Sequence, residues 1–110
     1  METLTARQLD RMQTADRGIA VINVLGADAF EEAHIPGSIN IPVDDDQFLE
    51  RVGARASRDE PVIVYCASKE CQASPRAART LESAGYEHVY DFEGGMKGWQ
   101  SAGLPVEQAD

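Results

Sequence analysis

The sequence predicts an α/β fold in which helices flank a mainly parallel sheet. Two apolar runs, "IAVINVL" and "PVIVY", are β-branched and apolar on both faces, as strands covered on both sides are. Segments with helical spacing follow such runs, and that alternation marks an α/β sheet. The 110 residues, 43% of them hydrophobic, fit one core and are too few for two. The expectation is therefore a single domain over residues 1–110 that contains fold and site together.

Taken in order, "TARQLDRM" opens on Thr5 as an N-cap and places Leu9 and Met12 three apart, which predicts an amphipathic helix. "IAVINVL" predicts a strand and "ADAFEEA" a short helix. "IPGSINIP" reads as a turn at Pro36 and Gly37 leading to a brief strand, Ile39 to Ile41, bounded by prolines. From Asp45 to about Ala56, Phe48, Leu49 and Val52 fall at helical spacing, with Asp44 to Asp46 near the N-terminus, where the helix dipole favours acidic groups. "PVIVY" is the next strand. Ser74 is then read as an N-cap and Pro75 as the first helical residue of a helix that ends at Gly85, with Ala77, Ala78, Leu81 and Ala84 as its apolar stripe. "HVYDF" predicts a last strand, "EGG" a turn and "MKGWQSAG" a closing helix. Phe92, Met96 and Trp99 belong to the core at that end. No repeat and no low-complexity linker interrupts this order.

Ten Lys and Arg against 19 Asp and Glu give a net charge of −9, which argues against nucleic acid or an anionic membrane as partner. Any anion must be held locally. The N-terminal "METLTARQLDRM" has no apolar signal-peptide core, and no segment approaches the roughly 20 apolar residues of a membrane helix, so a cytoplasmic protein is expected. Without an export signal, the two cysteines read as reactive thiols in a reducing compartment rather than as a structural staple.

Both cysteines lie in one loop, "YCASKECQAS". Cys66 directly follows "VIVY", at the carboxyl end of a strand, where ligands bind in such sheets. A loop that enters a helix there offers backbone N–H groups that hold an anion and lower a thiol's pKa. By position alone Cys66 is either a thiolate nucleophile or a small buried residue at a strand end.

"VINVLGADAFEEAHIPGSINIP", then "VIVYC", then "SPRAARTLESAGYEHVYDFEGGMKGWQSAGLPV" resemble the rhodanese (sulfurtransferase) family over nearly the whole chain, from about Thr3 to Glu107. The resemblance implies a rhodanese-like domain with a central parallel sheet of about five strands flanked by helices, and Cys66 at the catalytic position. It implies a sulfurtransferase that carries sulfane sulfur on Cys66 as a persulfide. The donor would be thiosulfate, another small sulfur anion, or a protein or low-molecular-weight persulfide; the acceptor would be a thiol or cyanide. This is covalent nucleophilic catalysis in two steps, with no cofactor and no metal. Amides of Ala67, Ser68, Lys69, Glu70, Gln72 and Ala73 would stabilise charge on the sulfurs without a basic protein overall.

Three features depart from the family. The usual loop runs Cys-x-x-Gly-x-Arg before the helix-starting Ser, whereas here the loop is two residues longer and lacks both Gly and Arg. Lys69 is the nearest substitute, a point charge on a flexible stem rather than a planar fork. Asn23-Val24-Leu25 stands where the family has Asp-Val-Arg, so a charged pair is replaced by neutral residues at once, and Asn23 is expected to hydrogen-bond structurally. The third departure is Cys71. In a curled loop it comes within disulfide reach of Cys66, which makes it a resolving cysteine, a secondary sulfur acceptor, or an inert residue filling the longer loop.

Other readings are weaker. His34 and His88 flank the cysteines at long range, so Cys66, Cys71, His34 and His88 lack zinc-site spacing. His34 in "HIPG" is expected to be structural and His88 to lie at the surface or a strand start. Gly94 and Gly95 form a turn and shape the rim of the active loop. Arg76 and Arg79 are read as a solvated face. A phosphatase on this fold needs an Arg at the sixth place after its Cys, where this chain has Gln72. The remaining alternatives are a non-enzymatic binding module and a dithiol persulfide or polysulfide reductase using Cys66 and Cys71.

Overall fold

The computed structural model describes residues 2–108. Its elements run β1 (Glu2–Thr3), α1 (Ala6–Ala15), β2 (Ala20–Asn23), α2 (Ala27–Glu32), β3 (Ile39–Asn40), α3 (Phe48–Gly53), β4 (Val62–Tyr65), α4 (Ala73–Ser83), β5 (Val89–Phe92) and α5 (Gly95–Ser101). The strands form one parallel sheet of order β1-β5-β4-β2-β3. All eight residues of β2 and β4 are buried, which is why both read as continuous apolar runs.

Alternation along each strand divides the core in two. Ala20, Ile22, Val62, Val64 and Val89 face α3 and α4, and meet Phe48, Val52, Ala77, Ala78 and Leu81. Val21, Ile63, Tyr65 and Phe92 face α1 and α5, and meet Leu9, Met96 and Trp99. Trp99 packs edge-on to Phe92, with ring centroids 6.4 Å apart, and its indole N–H donates to the Pro105 carbonyl. Each fully buried Leu or Phe contributes roughly 1.5–3 kcal/mol of transfer free energy.

Thr5 caps α1 as expected. Its Oγ1 accepts from the Gln8 amide, and the Gln8 side chain accepts from the Thr5 amide, closing a capping box. Gly85, at φ +96°, follows α4 as the left-handed glycine its position suggested.

One element was not foreseen and three expectations are corrected. Edge strand β1 was not foreseen: two residues pairing with β5 are too few to show periodicity. Helix α3 is shorter than the expected span, because Asp45 turns the chain by accepting from the Gln47 amide before the helix begins. Leu49 is 41% exposed, since only Phe48 and Val52 of that helix face the sheet. Helix α4 starts at Ala73, so Ser74 and Pro75 lie inside its first turn and the N-cap residue is Gln72, with no side-chain capping bond.

Candidate active-site loop

The chain passes from β2 outward to β3, then crosses back to β4 on the other side of β2 and continues to β5. Connections leaving β2 and β4 therefore diverge, and a crevice at their carboxyl ends is the ligand position of an open parallel sheet. Cys66 stands there, at the end of the central strand.

Strand alternation continues one step past Tyr65. Cys66 shares the face of Val62 and Val64, is 1% exposed, and packs in the core beneath α3 and α4. Of the two cysteines read in one loop, Cys66 is thus buried, while Cys71 is half-buried. The two are joined as a disulfide, with Cα atoms 6.4 Å apart, inside the roughly 7 Å limit. A turn in which the Cys71 amide donates to the Ser68 carbonyl at 3.1 Å curls the loop back far enough for this. Among the described residues, the amides of Ala67, Ser68 and Lys69 have no backbone acceptor. Ala67, Lys69, Glu70 and Gln72 are exposed, and Ser68 and Ala73 half-buried.

The start of α5 holds the loop from the other side. The Met96 amide donates to the Cys66 carbonyl and the Lys97 amide to the Ala67 carbonyl, both at 2.9 Å. This approach depends on Gly95, which has φ +60°: a Cβ there would lie 2.4 Å from the Cys66 carbonyl oxygen. The "EGG" turn thus serves as both turn and rim, as expected.

Below the loop, Tyr65 ties β4 to the "HIPGSI" segment. Its hydroxyl accepts from the Ile35 amide at 3.1 Å and lies 2.8 Å from Ser38 Oγ. Burial pushes this phenol above its ordinary range, against the opposing effect of those bonds. His34 stacks on Phe30 with centroids 3.9 Å apart, and its Nδ1 lies 2.8 Å from the Phe30 carbonyl, a structural role as anticipated. Asn23 Oδ1 accepts from the Leu25 amide at 3.0 Å, while its Nδ2 is buried without a hydrogen-bond partner. Arg76 pairs with Asp44 on the surface.

Sequence reasoning missed two groups. Asp91 pairs in register with Val64, so it shares the face of Cys66; it is 1% exposed, with Oδ1 unpartnered. Burial raises its carboxyl pKa; the Ser74 hydroxyl opposes this, Glu93 adds to it and Arg79 opposes it. The signal was present, because "VYDF" at strand period puts Asp91 beside inward-facing Val89. Lys97 was the second. It lines a cleft of about 320 Å³ with Ser68, Lys69, Glu70 and Ser101. No three His, Cys, Asp or Glu side chains converge as a metal set among the described residues.

The fold is shared with proteins of a known family. A family model, the Rhodanese-like domain, matches residues 5–102, and the chain belongs to that family. It is 32% identical over 109 residues to the HTH-type transcriptional regulator Rv0324 of Mycobacterium tuberculosis, covering 97% of this chain but only 45% of the regulator's length. It is 27% identical over 99 residues to the thiosulfate sulfurtransferase GlpE of Shewanella oneidensis, covering 90% of this chain and 92% of that protein. Among solved structures it resembles the thiosulfate sulfurtransferase of Pseudomonas aeruginosa, with TM-score 0.87 and 28% identity over 99% of this chain and 20% of that one. No helix among the described residues is long and apolar enough to cross a membrane.

Proposed function

We propose that the protein is a sulfurtransferase that carries sulfane sulfur on Cys66. The observation that supports this best is the cysteine at the carboxyl end of the central strand, under a loop with free amides, in a chain of the rhodanese-like family. Reduced Cys66 attacks the outer sulfur of thiosulfate or of a persulfide. Sulfite or a thiolate leaves, and the charge on Cys66–S–S⁻ is met by loop amides among Ala67, Ser68, Lys69, Glu70, Gln72 and Ala73. A thiol or cyanide acceptor then takes the sulfur. The chemistry needs a reducing compartment, consistent with a cytoplasmic protein. After reduction and incubation with thiosulfate or a polysulfide, intact-mass analysis is expected to show an adduct of roughly +32 Da on wild type and none on Cys66→Ala, as a covalent carrier requires. Absence of an adduct with every donor sinks this reading and favours a binding module.

The Cys66–Cys71 disulfide supports a second reading, in which Cys71 resolves the persulfide. The Cys71 thiol attacks the Cys66 sulfur, the Cys66–Cys71 bond forms, and the outer sulfur departs as HS⁻; an external dithiol then reduces the disulfide. Cys71→Ser is expected to retain the adduct and lose dithiol-dependent sulfide release. Unchanged release in that variant removes the resolving role.

A further inference from the structure

The Cys66–Cys71 bond spans the boundary of the core. Cys66 is 1% exposed and belongs to the buried cluster on the α3 and α4 side, with Val64, Ala77 and Ala78, whereas Cys71 packs against that cluster and is half-buried. The residues on either side of Cys71, Glu70 and Gln72, are exposed. The two sulfurs of one bond therefore meet different surroundings. A thiolate displaces one sulfur of a disulfide in line, so it approaches the attacked sulfur from the side opposite its partner. Attack on Cys66 would need a nucleophile inside the packed core, because that residue has almost no surface. Attack on Cys71 starts from the rim of the loop.

We infer that Cys71 is the site at which the oxidised protein exchanges with an external small thiol, and that Cys66 is the sulfur released. The inference goes beyond sulfur carriage and holds whether or not Cys66 carries sulfane sulfur. The first step balances as Cys66–S–S–Cys71 + R–S⁻ → Cys66–S⁻ + Cys71–S–S–R: a bond forms between the thiol and the Cys71 sulfur, the Cys66–Cys71 bond breaks, and its electron pair leaves with Cys66 as thiolate. The product is a reversible S-thiolation of Cys71. A second thiolate completes the reduction, Cys71–S–S–R + R–S⁻ → Cys71–S⁻ + R–S–S–R. The thiol is thus oxidised and the cysteine pair reduced, with no other reagent. The order has a consequence for the loop. One thiol suffices to free the buried cysteine, and the loop closes on it again only when Cys66 expels the thiol held by Cys71.

The test maps the first step on the unmodified chain. The oxidised full-length protein is mixed with glutathione, quenched with acid over a series of short times, alkylated with N-ethylmaleimide and digested with trypsin, which cuts after Lys69 and so places Cys66 and Cys71 in separate peptides. Extrapolated to zero time, glutathione on Cys71 with N-ethylmaleimide on Cys66 is expected in roughly tenfold excess over the reverse arrangement, as unequal access to the two sulfurs requires. In urea, where burial no longer separates the sulfurs, the excess should fall to within about twofold. The inference is overturned if glutathione maps equally or mainly to Cys66, if the full excess persists in urea, or if glutathione opens the bond no faster than the chain unfolds, as timed by hydrogen exchange. Thiosulfate plays no part in this mapping. Exchange at Cys71 with no sulfur adduct on Cys66 would keep the inference and remove the sulfur-carrier reading; an adduct on Cys66 with exchange at Cys66 would do the reverse.

Discussion

Gly95 is fixed as glycine twice over, by its positive φ and by the Cys66 carbonyl against which any Cβ would press. A left-handed non-glycine residue costs about 1–2 kcal/mol, and here the clash with backbone adds to it. Gly95→Ala is therefore expected to destabilise the protein by at least about 2 kcal/mol in urea unfolding and to release the Met96 and Lys97 amides, seen as faster hydrogen exchange. Asp91 acts in the opposite sense. Its folded pKa is raised, so its contribution to stability is complete below the ordinary value of 3.8 and is lost as pH rises through the folded value. Asp91→Asn should accordingly raise stability at pH 8 and leave it unchanged near pH 3. Thermal melts at the two pH values check this. Cys66 was legible because it follows an apolar run inside specific motifs. Lys97 was not, because an exposed lysine on a short helix carries no sign of which loop it will face.

At the scale of elements, Tyr65 is the tie between β4 and the "HIPGSI" segment. Tyr65→Phe removes the acceptor for the buried Ile35 amide and is expected to cost about 1–3 kcal/mol, the desolvation of an orphaned donor, read from denaturant unfolding. Helix α1 is closed by the Thr5–Gln8 box, and Thr5→Ala should cost about 1 kcal/mol. The buried strands β2 and β4 and the helix α4 were readable because their periodicity is long and unbroken. The starts of α3 and α4 were not. A turn bond from Asp45 and a loop curled by a disulfide decided where those helices begin, and both compete with the local capping preferences from which boundaries are read.

Across the whole molecule, the disulfide joins two residues five apart and couples the state of the loop to overall stability. Closing so short a loop restricts the unfolded chain by about 2 kcal/mol in the entropic account. Reduction, or Cys71→Ser without a reductant, is expected to lower Tm by roughly 10 °C, measured by scanning calorimetry. A Tm indifferent to reduction would show that the loop is held by α5 alone. The distribution of charge is uneven at this scale: a chain of net charge −9 has two lysines, Lys69 and Lys97, and both line one cleft beside the cysteine loop.

The sequence by itself determined the α/β class, the central strands, the most regular helix and the cysteine that ends the middle strand, because periodicity and short motifs are local properties of the chain. Tertiary structure decided that Cys66 is buried while Cys71 is half-exposed, that Gly95 must touch the Cys66 carbonyl, that Asp91 lies on the face of Cys66, and that Lys97 joins Lys69. Each of these depends on which residues the parallel crossovers bring to one end of the sheet, and pairing between distant segments leaves no periodic trace in either of them.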